Sequence, residues 1–197
     1  MTAAYMSRFR TRASAGHYEI HQKVYQLEPS RPLYRFSGDH VLIVGKSEPG
    51  DIESKVYSPQ VREGECLNFI VKAEVSKSRS VKGKRGERFD PIIAERNESG
   101  RAYNEISLDV GRSWLERTGA KNGFTLKELQ RAEYEQIKFV KKGERRNVRL
   151  TALDLEGLLE VTDADVFKQA LVQGLGRGKA FGLGLLLVRR LSHRGDQ

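Results

Sequence analysis

The chain has 197 residues, 38% of them hydrophobic, enough for one large domain or two small ones with a true core, which excludes a disordered chain. Lysine and arginine number 35 against 26 acidic residues, and the formal charge of +9 favours a polyanionic partner over a basic surface that serves solubility alone. The single cysteine, Cys66, excludes an internal disulfide and a cysteine zinc site and fits a reducing, cytoplasmic setting; no apolar run approaches the roughly 18 residues that span a bilayer, and no membrane partner is expected.

A first strand is placed at 5–11, ahead of a helix over 16–27, "GHYEIHQKVYQL", where Ile20, Val24 and Leu27 recur at helical spacing and Pro29 ends the run. Strands at 33–36 and 40–45 flank an "SGD" turn. "LNFIVKAEV" (67–75) alternates apolar and polar residues and reads as a strand with one covered face. Strand, helix, hairpin and strand make most of a ferredoxin-like α+β unit. A basic run at 76–88 follows, with Lys77, Arg79, Lys82, Lys84, Arg85 and Arg88 against Glu87. The polar stretch 95–101 reads as a linker, so the division falls at an N-terminal unit 1–95 and a C-terminal unit 96–197.

In the second unit the spacing of Ile106, Val110 and Trp114 predicts a helix over 104–119, with Gly119 as its C-cap. Segments 133–140 and 147–155 read as a hairpin whose tip carries Lys141, Lys142, Arg145 and Arg146. A turn at Glu156-Gly157 introduces a further strand, 157–161, and a helix over 162–174 opens at Thr162 or Asp163 and closes at Gly174. The last strand includes "LGLLLV" (183–188).

Between that helix and strand lies "GLGRGKAFGLGLL" (174–186), with Gly174, Gly176, Gly178, Gly182 and Gly184 around Arg177 and Lys179. A dinucleotide-binding loop would follow a strand, open a helix and expect an acidic residue about 20 positions on, whereas this loop follows a helix and only 13 residues come after Gly184. A P-loop would need a hydroxyl residue after Gly178-Lys179, where Ala180 stands. Two compatible roles remain: the glycines permit sharp turns and close packing, or they let backbone amides, Arg177 and Lys179 approach a phosphodiester chain.

On the first helix, at about 100° per residue, Tyr18, His21 and Tyr25 form a stripe beside the buried face. A histidine that exchanges protons beside a tyrosine that holds a phosphate oxygen suits attack of an RNA 2′-hydroxyl on its own phosphate. The same stripe also serves as the boundary of an amphipathic helix. His17 is the next candidate, while His40 and His193 stand apart from any carboxylate at metal-ligand spacing, so neither a metal nor another cofactor is expected.

These features coincide in one family. "LVQGLGRGKAFGLGLL" (171–186), "YEIHQKVYQL" (18–27), "LEGLLEVTDADVF" (155–167) and "WLERTGAKNGF" (114–124) resemble, in order and approximate spacing, motifs of the CasE family, the CRISPR RNA-processing endoribonucleases of type I-E systems. The resemblance implies two tandem ferredoxin-like (RRM-like) domains and metal-independent cleavage at the base of a repeat hairpin. It implies Tyr18 and His21 as the catalytic pair, with a 2′,3′-cyclic phosphate or 3′-phosphate and a 5′-hydroxyl on the products. It further implies retention of the mature crRNA as a subunit of the surveillance complex. The chain departs from the family at Glu28, where an aromatic residue is usual, and in "FIVKAEVSKS" (69–78), which lacks the family's more basic, proline-ended form. Under the resemblance, Lys77, Arg79, Lys82, Lys84, Arg85, Arg88, Lys141, Lys142, Arg145, Arg146, Arg177 and Lys179 are the expected RNA contacts, recognising a stem by shape and phosphate. A noncatalytic RNA-hairpin-binding subunit, with Tyr18 and His21 as packing residues, is the alternative, and a module for acidic protein partners a third.

Overall fold

The computed structural model describes residues 4–12, 14–50, 52–79, 86–140 and 147–191. Four strands, β1 (Ala4–Arg10), β2 (Leu33–Ser37), β3 (His40–Gly45) and β4 (Ser54–Tyr57), form an antiparallel sheet in the order β2-β3-β1-β4, with α1 (His17–Leu27) joining β1 to β2. The second sheet holds β5 (Cys66–Glu74), β8 (Phe124–Val140), β9 (Asn147–Val161) and β10 (Leu186–Arg190) in the order β10-β5-β9-β8. Helices α2 (Pro91–Ser99) and α3 (Tyr103–Gly119) connect β5 to β8, and α4 (Ala164–Gln173) connects β9 towards β10. Two-residue strands β6 (Lys77–Ser78) and β7 (Arg88–Phe89) pair across the basic run. Both sheets have the edge-centre-centre-edge order of a ferredoxin-like unit, and the fold is two such units in tandem.

The sequence pattern assigns 67–75 to the first unit, and the structure corrects this: β5 pairs with β9 and β10 and opens the second unit. Alternation specifies that a strand has a buried face, not which sheet it joins. From the pairing we propose a division between Tyr57 and Cys66 in place of one at residues 95/96. Residues 95–99 of the stretch read as a linker are the second half of α2, capped by Asp90, whose carboxylate accepts from the amides of Ile92 and Ile93, with Pro91 in the first turn.

Two glycine assignments also change. Gly157 lies inside β9, opposite Phe69 and Leu129, rather than at a turn, and only glycine fits there because a side chain would meet the Glu128 carbonyl at 2.1 Å, beside the register shifts in β8. Gly119 is the last residue of α3 rather than its cap, and a Cβ on it would stand 2.4 Å from the Phe124 carbonyl.

The second unit's core joins Phe69, Leu115, Leu153, Leu155 and Phe167, while Phe9, Ile20, Val24, Val41 and Ile43 seat α1 on the first sheet. Leu33 and Val44 of the first sheet meet Leu185 of the second unit, closing a seam between the two. Burying a leucine-sized side chain there contributes about 1.5–3 kcal/mol. Among the described residues no helix is long and apolar enough to cross a membrane.

Candidate active site at the seam between the units

Helix α1 crosses the seam and rests on the second unit. The ring of Tyr18 stacks on Phe139 of β8 at a centroid distance of 6.1 Å and lies 6.0 Å from His21. His21 is flanked by Tyr25 at 4.5 Å and by Phe181 at 5.3 Å, and Phe181 meets Phe139 at 4.8 Å. The predicted stripe thus becomes a cluster completed by two aromatic residues from the other unit.

His21 and Tyr18 are both partly exposed, so the cluster is open to a ligand. The Nδ1 atom of His21 lies 2.6 Å from the Ala180 carbonyl oxygen. A carbonyl can only accept, so Nδ1 carries the hydrogen and donates it, and Nε2 is the nitrogen left to exchange a proton. The Tyr34 hydroxyl donates to the same oxygen at 3.0 Å, and burial raises its pKa well above the ordinary phenol value, so it remains a donor.

Ala180 sits in a short 3-10 turn, Lys179–Phe181, between Gly178 and Gly182. All five loop glycines have positive φ, between 66° and 85°. A Cβ on Gly174 would meet Leu33 at 2.6 Å and one on Gly182 the Tyr34 ring at 2.9 Å, so these two admit strand β2 of the first unit. On the other side, Gly176 admits Trp114, Gly178 admits Leu183, and a Cβ on Gly184 would stand 2.3 Å from the Leu175 carbonyl. The loop is a wedge shaped on both faces by absent side chains.

Charged groups brace the same seam. Arg35 of β2 donates to both carboxylate oxygens of Asp154 in β9, at 2.9 and 2.7 Å. His17 donates from Nε2 to Glu135 at 3.3 Å, and Lys72 pairs with the same carboxylate. The His17 hydrogen bond is the largest influence on Glu135; with Lys72 it overcomes burial and pulls the carboxyl down to about 2. Glu28, the departure noted in the sequence, is buried and accepts from the amides of Ser30 and Ser47 and from the Ser47 hydroxyl. Burial pushes its carboxyl up, but these hydrogen bonds outweigh it and the pKa is lowered.

The expected RNA contacts divide into groups. Lys77 and Arg79 are exposed, with Arg79 over the Phe89 ring at 4.8 Å. Arg88 and Arg177 both pair with the buried carboxylate of Glu74, at 2.8 and 3.1 Å, leaving that cluster a net positive charge, with both arginines about half exposed. The Lys179 ammonium turns back to the Gln173 carbonyl at 2.8 Å and closes the end of α4, and burial lowers its pKa. Lys82, Lys84, Arg85, Lys141, Lys142, Arg145 and Arg146 lie outside the described residues.

Sequence reasoning missed Tyr34, Phe139, Phe181, Glu74, Glu135 and the Arg35–Asp154 pair. An arginine between apolar neighbours in "LYRF" is the trace such a pair leaves, because a buried guanidinium needs a carboxylate.

Comparison with known proteins identifies the family. The family profile described as CRISPR associated protein matches residues 3–190. The chain belongs to the CasE family of CRISPR-associated proteins. The CRISPR-associated endoribonuclease Cse3 of Thermus thermophilus is 31% identical over 144 residues, which cover 68% of this chain and 60% of that relative's length. A solved structure of the CRISPR endoribonuclease Cse3 bound to a 19-nucleotide RNA superposes with a TM-score of 0.70 at 26% identity, covering 96% of this chain and 99% of that one. A chain of a CRISPR RNA-guided surveillance complex matches at 18% identity with a TM-score of 0.68, covering 95% of this chain and all of that one, a likeness of fold.

Proposed function

We propose that the protein is a metal-independent endoribonuclease that cuts CRISPR precursor RNA at repeat hairpins and keeps the mature crRNA as a subunit of a surveillance complex. The observation that carries this is His21, held through Nδ1 by the Ala180 carbonyl with Tyr18 beside it. Family membership, the RNA-bound relative and the surveillance-complex chain support the choice of substrate and partners. Precursor transcripts are made in the cytoplasm, and the reading assigns the protein there.

In the reaction the 2′-oxygen of the nucleotide before the scissile bond attacks the adjacent phosphorus. The O2′–P bond forms, the P–O5′ bond breaks, and the proton of the 2′-hydroxyl is lost as the 5′-oxygen gains one. His21 Nε2 serves one of these transfers, and Tyr18 orients the phosphate. The products are a 2′,3′-cyclic phosphate, or the 3′-phosphate from its hydrolysis, and a 5′-hydroxyl. Lys77 and Arg79, with the Arg88–Arg177 cluster, hold the RNA backbone, contacts that need no particular base.

The test is cleavage of the cognate repeat hairpin in EDTA by wild type and His21→Ala, with binding followed in parallel. The reading expects wild-type cutting with a cyclic phosphate or 3′-phosphate end, and a variant that binds without cutting. Tight binding with no cutting by wild type would make the protein a hairpin-binding subunit; equal cutting by both would move the chemistry away from His21.

A further inference from the structure

We propose that Tyr34 is a positioning residue of the active site: its hydroxyl pins the Ala180 carbonyl, which in turn holds His21 as the Nδ1–H tautomer and leaves Nε2 free for proton transfer. This rests on the functional reading above, with His21 taking the proton of the 2′-hydroxyl, and adds a residue outside the catalytic pair.

The arrangement crosses the seam. Tyr34 and His21 belong to the first unit, on β2 and α1, while Ala180 belongs to the loop of the second. An imidazole free in water favours the Nε2–H form, in which Nε2 cannot take a proton from a 2′-hydroxyl. The hydrogen bond made by the other ring nitrogen selects the tautomer. A carbonyl oxygen has two lone pairs, and here one receives His21 at 2.6 Å and the other Tyr34 at 3.0 Å. The 179–181 turn is bounded by two left-handed glycines, positions where the backbone has the most freedom to turn. The Tyr34 hydroxyl fixes the direction of the peptide between them. Its ring is 2% exposed and fills the space left by the missing Cβ of Gly182, so the hydroxyl is held as firmly as the core around it.

Nitrogen-15 spectra of histidine-labelled protein, with the His21 signal assigned from His21→Ala, read the tautomer directly. Cleavage of the repeat hairpin under single-turnover conditions and binding of a deoxy-substituted, uncleavable hairpin are measured on the same samples. Wild type is expected to show Nδ1 protonated and Nε2 bare. In Tyr34→Phe, which keeps the ring and its packing, the Nε2–H share rises, cleavage slows about three- to tenfold, the scale of one lost hydrogen bond, and binding is unchanged. A wild type with His21 in the Nε2–H form overturns the proposal without recourse to any variant. So does a Tyr34→Phe protein in which either the tautomer or the rate stays at the wild-type value. If His21→Ala is inactive while Tyr34→Phe matches wild type, only the role of Tyr34 falls. If His21→Ala cuts as fast as wild type, the catalytic assignment falls and takes this one with it.

Discussion

Gly184→Ala separates a loop shaped for packing from one left bare for RNA. Gly184 has φ of +85°, and a Cβ there would stand 2.3 Å from the Leu175 carbonyl oxygen, a backbone atom that cannot swing aside. The left-handed conformation alone costs an L-residue about 1–2 kcal/mol. Relieving the clash disturbs the hydrogen bonds Leu175 N–H to Gly184 O, 2.8 Å, and Gly184 N–H to Lys72 O, 2.7 Å. At about 0.5–1.5 kcal/mol each, these bring the expected loss to about 2–5 kcal/mol. Gly38→Ala is the control: its φ is +63° but nothing lies within 4 Å of the added carbon, so it bears the conformational cost alone. Urea unfolding of both variants compares them directly, and with an m-value of about 2 kcal/mol/M a 3 kcal/mol loss moves the midpoint by about 1.5 M. RNA affinity of the folded Gly184→Ala protein is expected to stay near wild type. A Gly184→Ala loss no larger than that of Gly38→Ala, or a large fall in RNA affinity at unchanged stability, would refute the argument.

Asp154→Ala leaves the buried Arg35 guanidinium without its carboxylate and is expected to cost about 3–5 kcal/mol, whereas replacing both residues by leucine costs much less; similar losses in denaturant melts would contradict this. The folded pKa of Glu28 is lowered, so its contribution is complete above the unfolded carboxyl value of about 4.3 and declines as pH falls through the lower folded value. Glu28→Gln should therefore approach wild-type stability as melts are taken from pH 6 down to pH 3, and a gap constant with pH would rule this out. For Glu135, at about 2, the same sign holds: its contribution is present above the unfolded value and fades towards pH 2. Because that carboxylate is partly exposed, Glu135→Gln is expected to cost about 1 kcal/mol or less at neutral pH, and a loss several times larger would show that the seam depends on it more than geometry indicates.

What was legible in the sequence follows from how local the cause was. Helix α1 and strands β2 and β3 carry their own periodicity, and Tyr18 and His21 are three apart on one helix, so both pattern and pair could be read. The first half of β8 could not, because register shifts between Leu126 and Glu128 and between Leu129 and Arg131 break the alternation that marks a strand. Helix α2 carries a start signal in Asp90-Pro91 that went unread, because with only Pro91 and Ile92 fully buried its polar remainder resembles a linker. Strand β5 was visible as a strand, while its membership depended on partners in β9 and β10 far along the chain. The groups around His21 were the least accessible: a backbone carbonyl has no letter of its own, and the tyrosine sharing it lies 146 residues away.

Beyond the RNA contact proposed for Arg177, the glycine loop shapes the seam. Its Lys179 is engaged on the end of α4, its Arg177 pairs with Glu74 while staying half exposed, and its glycines let strand β2 press against one face and Trp114 and Leu183 against the other. Between those faces the Ala180 carbonyl meets the histidine of the first unit. The sequence places the proposed catalytic helix in one unit and the group that orients its histidine in the other, so the site is complete only when the seam is closed. Leu33, Val44 and Leu185, the Arg35–Asp154 pair and the His17–Glu135–Lys72 contacts hold it closed. Substitutions along the seam that leave both units folded are therefore expected to slow cleavage while leaving binding to the basic surface intact, a split that damage to the RNA-binding surface itself would not produce.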